Sequence, residues 1–158
     1  MSRGEELAAQ FEATNASMIA AVDSLSEAQW GALSAAENWS HAVVAHHVAV
    51  DHEAIAGLVQ TIATGGAVPP LDMAALDAIN AEHAVEAANC TKEETVALLR
   101  ASGTAAADML RGLSDAQLET TATLPLMGPD PVTAAQLAEN VLVGHVNVHM
   151  ESLQSAAS

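Results

Sequence analysis

The stretch TAAQLAENVLVGHVNVHMESL, Thr133 to Leu153, decides how the rest of the chain is read. Thr133 and Gln136 have the spacing of a capping box, which opens a helix. His145 and His149 follow, four residues apart. On a helix that spacing sets both imidazoles on one face, one turn apart. Leu142 shares the face, with Ala138 and Leu153 close to it, so the face points inward. Two explanations are open for an inward pair. Either each ring is a core histidine with its own hydrogen-bond partner, or the pair holds a metal ion. A metal needs a third ligand from elsewhere, and the best donor in the chain is His47.

Composition sets the frame for that helix. The chain has 158 residues, 51% of them apolar, enough for a sizeable core in a single domain over 1–158. Its large aromatics are Phe11, Trp30 and Trp39, so Ala, Leu, Val, Ile and Met must build the interior. That set, rich in alanine, favours closely packed helices. Twenty acidic residues against four basic ones give a formal net charge of −16. Such a surface repels nucleic-acid phosphates and anionic membranes. There is no apolar run of membrane-spanning length and no signal-peptide core in MSRGEELAAQ, so a soluble, cytoplasmic protein is expected. The single cysteine, Cys90, has no partner for an internal disulfide, and Lys92 is its one basic neighbour.

Helical periods run through the rest. Leu7, Phe11, Met18, Val22 and Leu25 mark a first helix over 5–24. Ser26 with Gln29 caps a short turn, and the loop to residue 40 carries Trp30, Leu33 and Trp39, which plug the end of a core or line a pocket. Ser40 caps a second long helix, HAVVAHHVAVDHEAIAGLVQTI, about 33 Å long at 1.5 Å per residue. Its inward stripe is expected to be Val44, His47, Val48, Asp51, Ile55, Leu58 and Ile62. His41 is expected to be exposed, with His46 and His52 at the flanks. Asp51, one turn beyond His47, is the candidate to move a proton or orient a ligand, with His52 behind it; its alternative is a carboxylate at a wet end of the bundle. Gly65, Gly66, Pro69 and Pro70 end this helix. A further helical segment is expected over 72–88, with Met73, Leu76, Ile79, His83 and Val85 nearest the core. Asn80 and His83 are either candidate site residues or surface and packing residues. Thr91 with Glu94 caps another long helix to Leu110, in which Gly103 permits close approach or merely weakens the helix.

LSEAQW at 25–30 returns as LSDAQL at 113–118. Each copy sits between two long helices. The expectation is therefore two helical hairpins packed as an antiparallel four-helix bundle, with the 72–88 segment in the crossover. His47 and the His145/His149 pair then fall on facing surfaces. Three neutral imidazoles would suit zinc, nickel or iron(II). The HExxH signature, the glycine-rich phosphate loop, the nucleophile elbow and the ferritin-like Glu-x-x-His pairs are absent, which removes the hydrolase, kinase and dinucleotide-enzyme readings those motifs carry.

With these residues in hand, the chain resembles the DinB-like superfamily, in its branch related to the mycothiol-dependent maleylpyruvate isomerases. The resemblance rests on Trp39-Ser40 followed by Ala45-His46-His47-Val48, on Gly144-His145 and His149, and on Asn80-Ala81 and Thr91–Glu94 in the middle region. It implies an all-α, DinB/YfiT-like four-helix bundle, often dimeric, with His47 at the family's metal position. His145 stands where the isomerase pattern has glutamate, and the isomerases carry a C-terminal domain that would lie beyond Ser158. The resemblance therefore implies a reaction class rather than maleylpyruvate itself. That class is a metal-assisted reaction of a low-molecular-weight thiol, such as mycothiol, with an electrophile, ending in transfer or isomerisation. Its site would comprise His47, His145 and His149 on the metal, Asp51 and His52 for proton transfer, and Trp39, Asn80 and His83 around the cofactor. The competing reading is a metal-binding or stress-associated helical protein without turnover.

Overall fold

The computed structural model describes residues 1–158. Four long helices carry the core: α1 (Arg3–Ser24), α3 (His41–Ala63), α5 (Lys92–Arg111), and a last helix made of α7 (Ala134–Leu137), a π-helical segment (Ala138–Val143) and α8 (Gly144–Ala157). Shorter pieces join them: α2 (Glu27–Gly31), α4 (Met73–Glu86) and α6 (Asp115–Leu118). Two strands of two residues, β1 (Thr121–Ala122) and β2 (Val132–Thr133), pair antiparallel and pinch off the 123–131 link.

The helix starts are where the capping residues place them. Ser26/Gln29, Thr91/Glu94, Ser114/Gln117 and Thr133/Gln136 all form reciprocal capping boxes, as does Ser2/Glu5. Each box satisfies two backbone donors that a helix start leaves unpaired. The repeated LSxAQ segments are thus equivalent short helices, each following a long one.

The bundle is not a pair of hairpins. α1 packs on α5 and α8, and α3 packs on the same two, so α1 and α3 lie diagonally across the core. Side-chain contacts give the directions. Arg3 pairs with Glu139, and Gln29 beyond the other end of α1 donates to the Ala156 carbonyl at 2.9 Å, so α1 and α8 run parallel. Cys90 reaches the Ala42 carbonyl and His52 reaches Ser102, so α3 and α5 also run parallel. Asn15 donates to the Leu99 carbonyl at 2.9 Å while Gly4 lies against Leu110, so α1 and α5 are antiparallel. His47 meets His145, and Glu37 meets His149, so α3 and α8 are antiparallel. The order is up-down-down-up. This corrects the all-antiparallel expectation. Two consecutive long helices that run the same way need a return between them, and residues 64–91, with α4, supply it.

Because α4 is that return and not a bundle member, none of its residues is buried. Met73, Ile79 and Val85, expected near the core, are 58%, 54% and 78% exposed. Two glycines let α1 and α5 approach closely. A Cβ on Gly4 would lie 2.4 Å from the Leu110 carbonyl oxygen, and one on Gly103 would lie 2.1 Å from Asn15 Nδ2. No helix is long and apolar enough to cross a membrane.

Candidate metal centre

α3 presents two neighbouring stripes. Ala45, Val48, Ala49, His52, Ala56 and Val59 are buried in the core. His47, Asp51, Ile55 and Leu58 lie beside them, spaced at helical intervals, and line a cavity of about 560 Å³. The last helix behaves likewise: Leu142, Val146 and Leu153 are in the core, while Val141, His145 and His149 face the cavity. The antiparallel contact of α3 with α8 brings the histidines together. One ring nitrogen from each of His47, His145 and His149 falls within 4.8 Å of the other two.

The convergence is tight. His47 Nε2 and His145 Nε2 are 3.0 Å apart, and Asp51 Oδ2 is 3.3 Å from each. Lone pairs of two imidazoles and a carboxylate aimed at one point repel unless a proton or a cation lies between them. Two nitrogens bound tetrahedrally at zinc–nitrogen distances would be separated by about 3.3 Å, close to what is seen. His149 approaches from the side, and its tautomer is set. Nδ1 lies 3.1 Å from Glu37 Oε1, so it donates there and leaves Nε2 with a free lone pair. Glu37 is fixed in turn by Ser152, whose hydroxyl donates to Oε1 at 2.6 Å, and by Ser34, which bonds its other oxygen. His145 Nδ1 is buried without a protein partner. The donor set therefore fits a divalent cation: two or three imidazole nitrogens, one carboxylate within reach, and a cavity on the open side.

The electrostatics point the same way. Burial, reinforced by the neighbouring His149 and His83, depresses the His47 pKa to about 4, with Glu37 opposing. Burial and the adjacent His149, His47 and His52 take His145 to about 3. Both rings are thus neutral at pH 7 and need lose no proton to act as ligands. Burial raises Asp51 to about 6, near the range useful to a general base. For Glu37, burial raises the pKa, but the hydrogen bonds from Ser152, Ser34 and His149 together outweigh it and hold the carboxyl below its usual range.

Other expected residues fall in different places. Trp39 and Asn80 line the cavity, and the Trp39 ring sits edge-on to His47 at 5.3 Å. His83 does not line it; its ring stacks on His46, with Nε2 2.8 Å from His46 Nδ1. His52 is not brought to the cavity either. It is 1% exposed, between the Phe11 ring and the Ser102 hydroxyl, because position 52 is on the core stripe and not the cavity stripe. Trp30 is buried, and its indole N–H donates to the Cys90 carbonyl at 3.2 Å, so it plugs the core. His41, expected to be exposed, is buried, with Nδ1 2.8 Å from the Gln29 carbonyl oxygen. Cys90 bonds the Ala42 carbonyl, away from the cavity, and burial raises its pKa. Glu37 was not legible in the sequence. It sits in the 32–40 turn, where Ser34 N–H bonds the Trp39 carbonyl at 2.7 Å and Asn38 takes a φ of 60°. That turn aims both Glu37 and Trp39 inward, and a carboxylate in a loop carries no period that would betray it.

The comparisons with known proteins agree with this fold. The chain superimposes on YfiT from Bacillus subtilis with a TM-score of 0.75 at 19% identity, over 97% of this chain and 85% of that one. YfiT is described as a probable metal-dependent hydrolase with an unusual four-helix bundle topology. A histidine-to-alanine mutant of the mycothiol-dependent maleylpyruvate isomerase also superimposes with a TM-score of 0.75, at 17% identity over 95% of this chain. The chain spans 60% of that isomerase's length. No curated protein matches it in sequence. A sequence model of the DinB superfamily matches residues 10–153, nearly the whole bundle, and the chain belongs to that superfamily.

Proposed function

We propose that this protein uses a divalent metal, held by His47, His145 and His149, to activate a small thiol towards an electrophilic substrate, either in a transfer that leaves the sulfur bonded to the substrate or in an isomerisation in which the thiol adds and is released again. The observation that carries the reading is the histidine cluster opening on one side to a 560 Å³ cavity. A divalent ion at that cluster supplies positive charge that lowers the pKa of a thiol or water bound to it. Zinc and nickel suit the imidazole set best, and iron(II) becomes more suitable if Asp51 also binds.

The protein's own groups have distinct tasks. Glu37 orients His149 through Nδ1. Asp51, with Oδ2 3.3 Å from each of the two Nε2 atoms, holds or moves a proton. Trp39 walls the cavity beside His47 and limits water. The thiol must come from outside, because Cys90 bonds a backbone carbonyl elsewhere. A low-molecular-weight thiol such as mycothiol fits that role by the likeness to the isomerase.

A second reading is metal-assisted hydrolysis, favoured by the likeness to YfiT. The two separate in one assay. The protein is loaded with zinc or nickel and offered electrophiles with and without a thiol. Thiol-dependent turnover that His145→Ala abolishes and Cys90→Ser preserves supports the first. Turnover of esters or amides without thiol replaces it with the second. No turnover by metal-loaded protein leaves a metal-binding protein without catalysis.

A further inference from the structure

The metal-side cavity does not end at the histidines. A second cavity, of about 310 Å³, adjoins it, and Ala54, Leu58, Leu71, Leu126 and Val141 line both. The second is walled by apolar side chains, including Leu124, Met127 and Leu137. It lies where the two irregular links, the proline-bearing 64–72 turn and the 123–131 segment, cover Ala54 and Leu58 of α3 and Leu137 and Val141 of the last helix. Neither cavity is lined by a lysine or arginine; the charged groups present are Glu37 and Asp51.

We propose that the site takes an uncharged substrate with a polar head at the histidines and an elongated apolar tail lying in this annexe. The proposal rests on the metal reading above and narrows its substrate class. A dicarboxylate is a poor fit, because no cation offsets its charge and the net charge of −16 repels it on approach. An alkyl or aryl tail meets predominantly apolar walls, and each buried methylene contributes about three- to fourfold in affinity.

Alkyl hydroxamates test this, since the head group binds metal ions and the tail length is adjustable. Binding of acetohydroxamate and octanohydroxamate to zinc-loaded and metal-free protein is measured by calorimetry. The expected result is zinc-dependent binding of both, with the octanoyl compound tighter by about a hundredfold or more. An octanoyl chain ending in a carboxylate should lose that gain. Ala54→Phe, a change at an exposed position on α3 facing both cavities, should collapse the octanoyl-to-acetyl affinity ratio. If acetohydroxamate ignores the zinc, the metal reading falls and this proposal with it. If acetohydroxamate binds but affinity is flat with chain length, or Ala54→Phe leaves the ratio intact, the apolar-tail proposal alone is overturned.

Discussion

At the scale of single residues, the site depends on groups with different kinds of influence. His47, His145 and His149 would touch the metal, so His→Ala at any of them should remove most metal affinity. His46→Ala should retain full stoichiometry, because its ring turns away to His83. Elemental analysis of the purified variants checks both. Glu37 acts through His149. Glu37→Gln keeps the shape but weakens the hydrogen bond that holds the tautomer, so metal affinity should fall about 10- to 100-fold while the fold persists. Competition against a chelator of known affinity measures that. Away from the site, Gly103→Ala would drive a methyl into the Asn15 amide and break its bond to the Leu99 carbonyl. The expected cost is about 1–3 kcal/mol, read by urea unfolding.

At the scale of elements, the last helix is the unusual one. Its π-helical segment, Ala138–Val143, is a widened turn that accommodates an extra residue relative to a regular α-helix. It lies between the alanine-lined start of the helix and the histidine turn. Deleting the exposed Asn140 should let the segment relax to an α-helix without changing the facing of either flank. Deleting Asn147, between the two histidines, should instead pull His149 off the cavity face by about 100°. The first variant is expected to keep its metal and the second to lose it, as metal content beside circular dichroism will show. A loss in both would mean that the widened turn itself shapes the site.

For the whole molecule, charge and buried histidines govern stability. Burial lowers His52 to about 4, as it does His47, and takes His145 to about 3. Their unfolded pKa is about 6.5, so below that pH the unfolded chain binds protons that the native one refuses. Their contribution is intact above pH 6.5 and is lost as pH falls towards the folded values. Asp51, raised to about 6, works oppositely, since the native state binds its proton first as pH falls. Three groups outweigh one, so the metal-free protein should melt at a lower temperature at pH 5 than at pH 7. His52→Gln should flatten that slope, as thermal unfolding across pH will show. The net charge of −16 opposes compaction, and raising salt from about 0.01 M to 0.3 M should raise the melting temperature by screening it. A homodimer is proposed from the family likeness, and light scattering at the higher salt is its test.

The local patterns were legible because local physics wrote them. The capping boxes at Ser26, Thr91 and Thr133, the breaks at Gly65–Pro70 and the four long helical periods needed only near neighbours in sequence. His47, His145 and His149 could be named as candidate ligands because a face with a 3.6-residue period shows which side chains look the same way. Which of two inward stripes a residue joins is settled by the neighbouring helix. So His52 went to the core and Asp51 to the cavity, though they are adjacent in the chain. The exposure of α4, the burial of His41 and the parallel running of α3 with α5 are likewise consequences of how helices pair across the bundle. Glu37 and the apolar annexe belong to this second group. Glu37 comes from a loop, whose residues follow no period, and the annexe joins loop residues to Ala54, Leu58, Leu137 and Val141 of the bundle helices, so only the closing of the bundle assembles them beside the histidines.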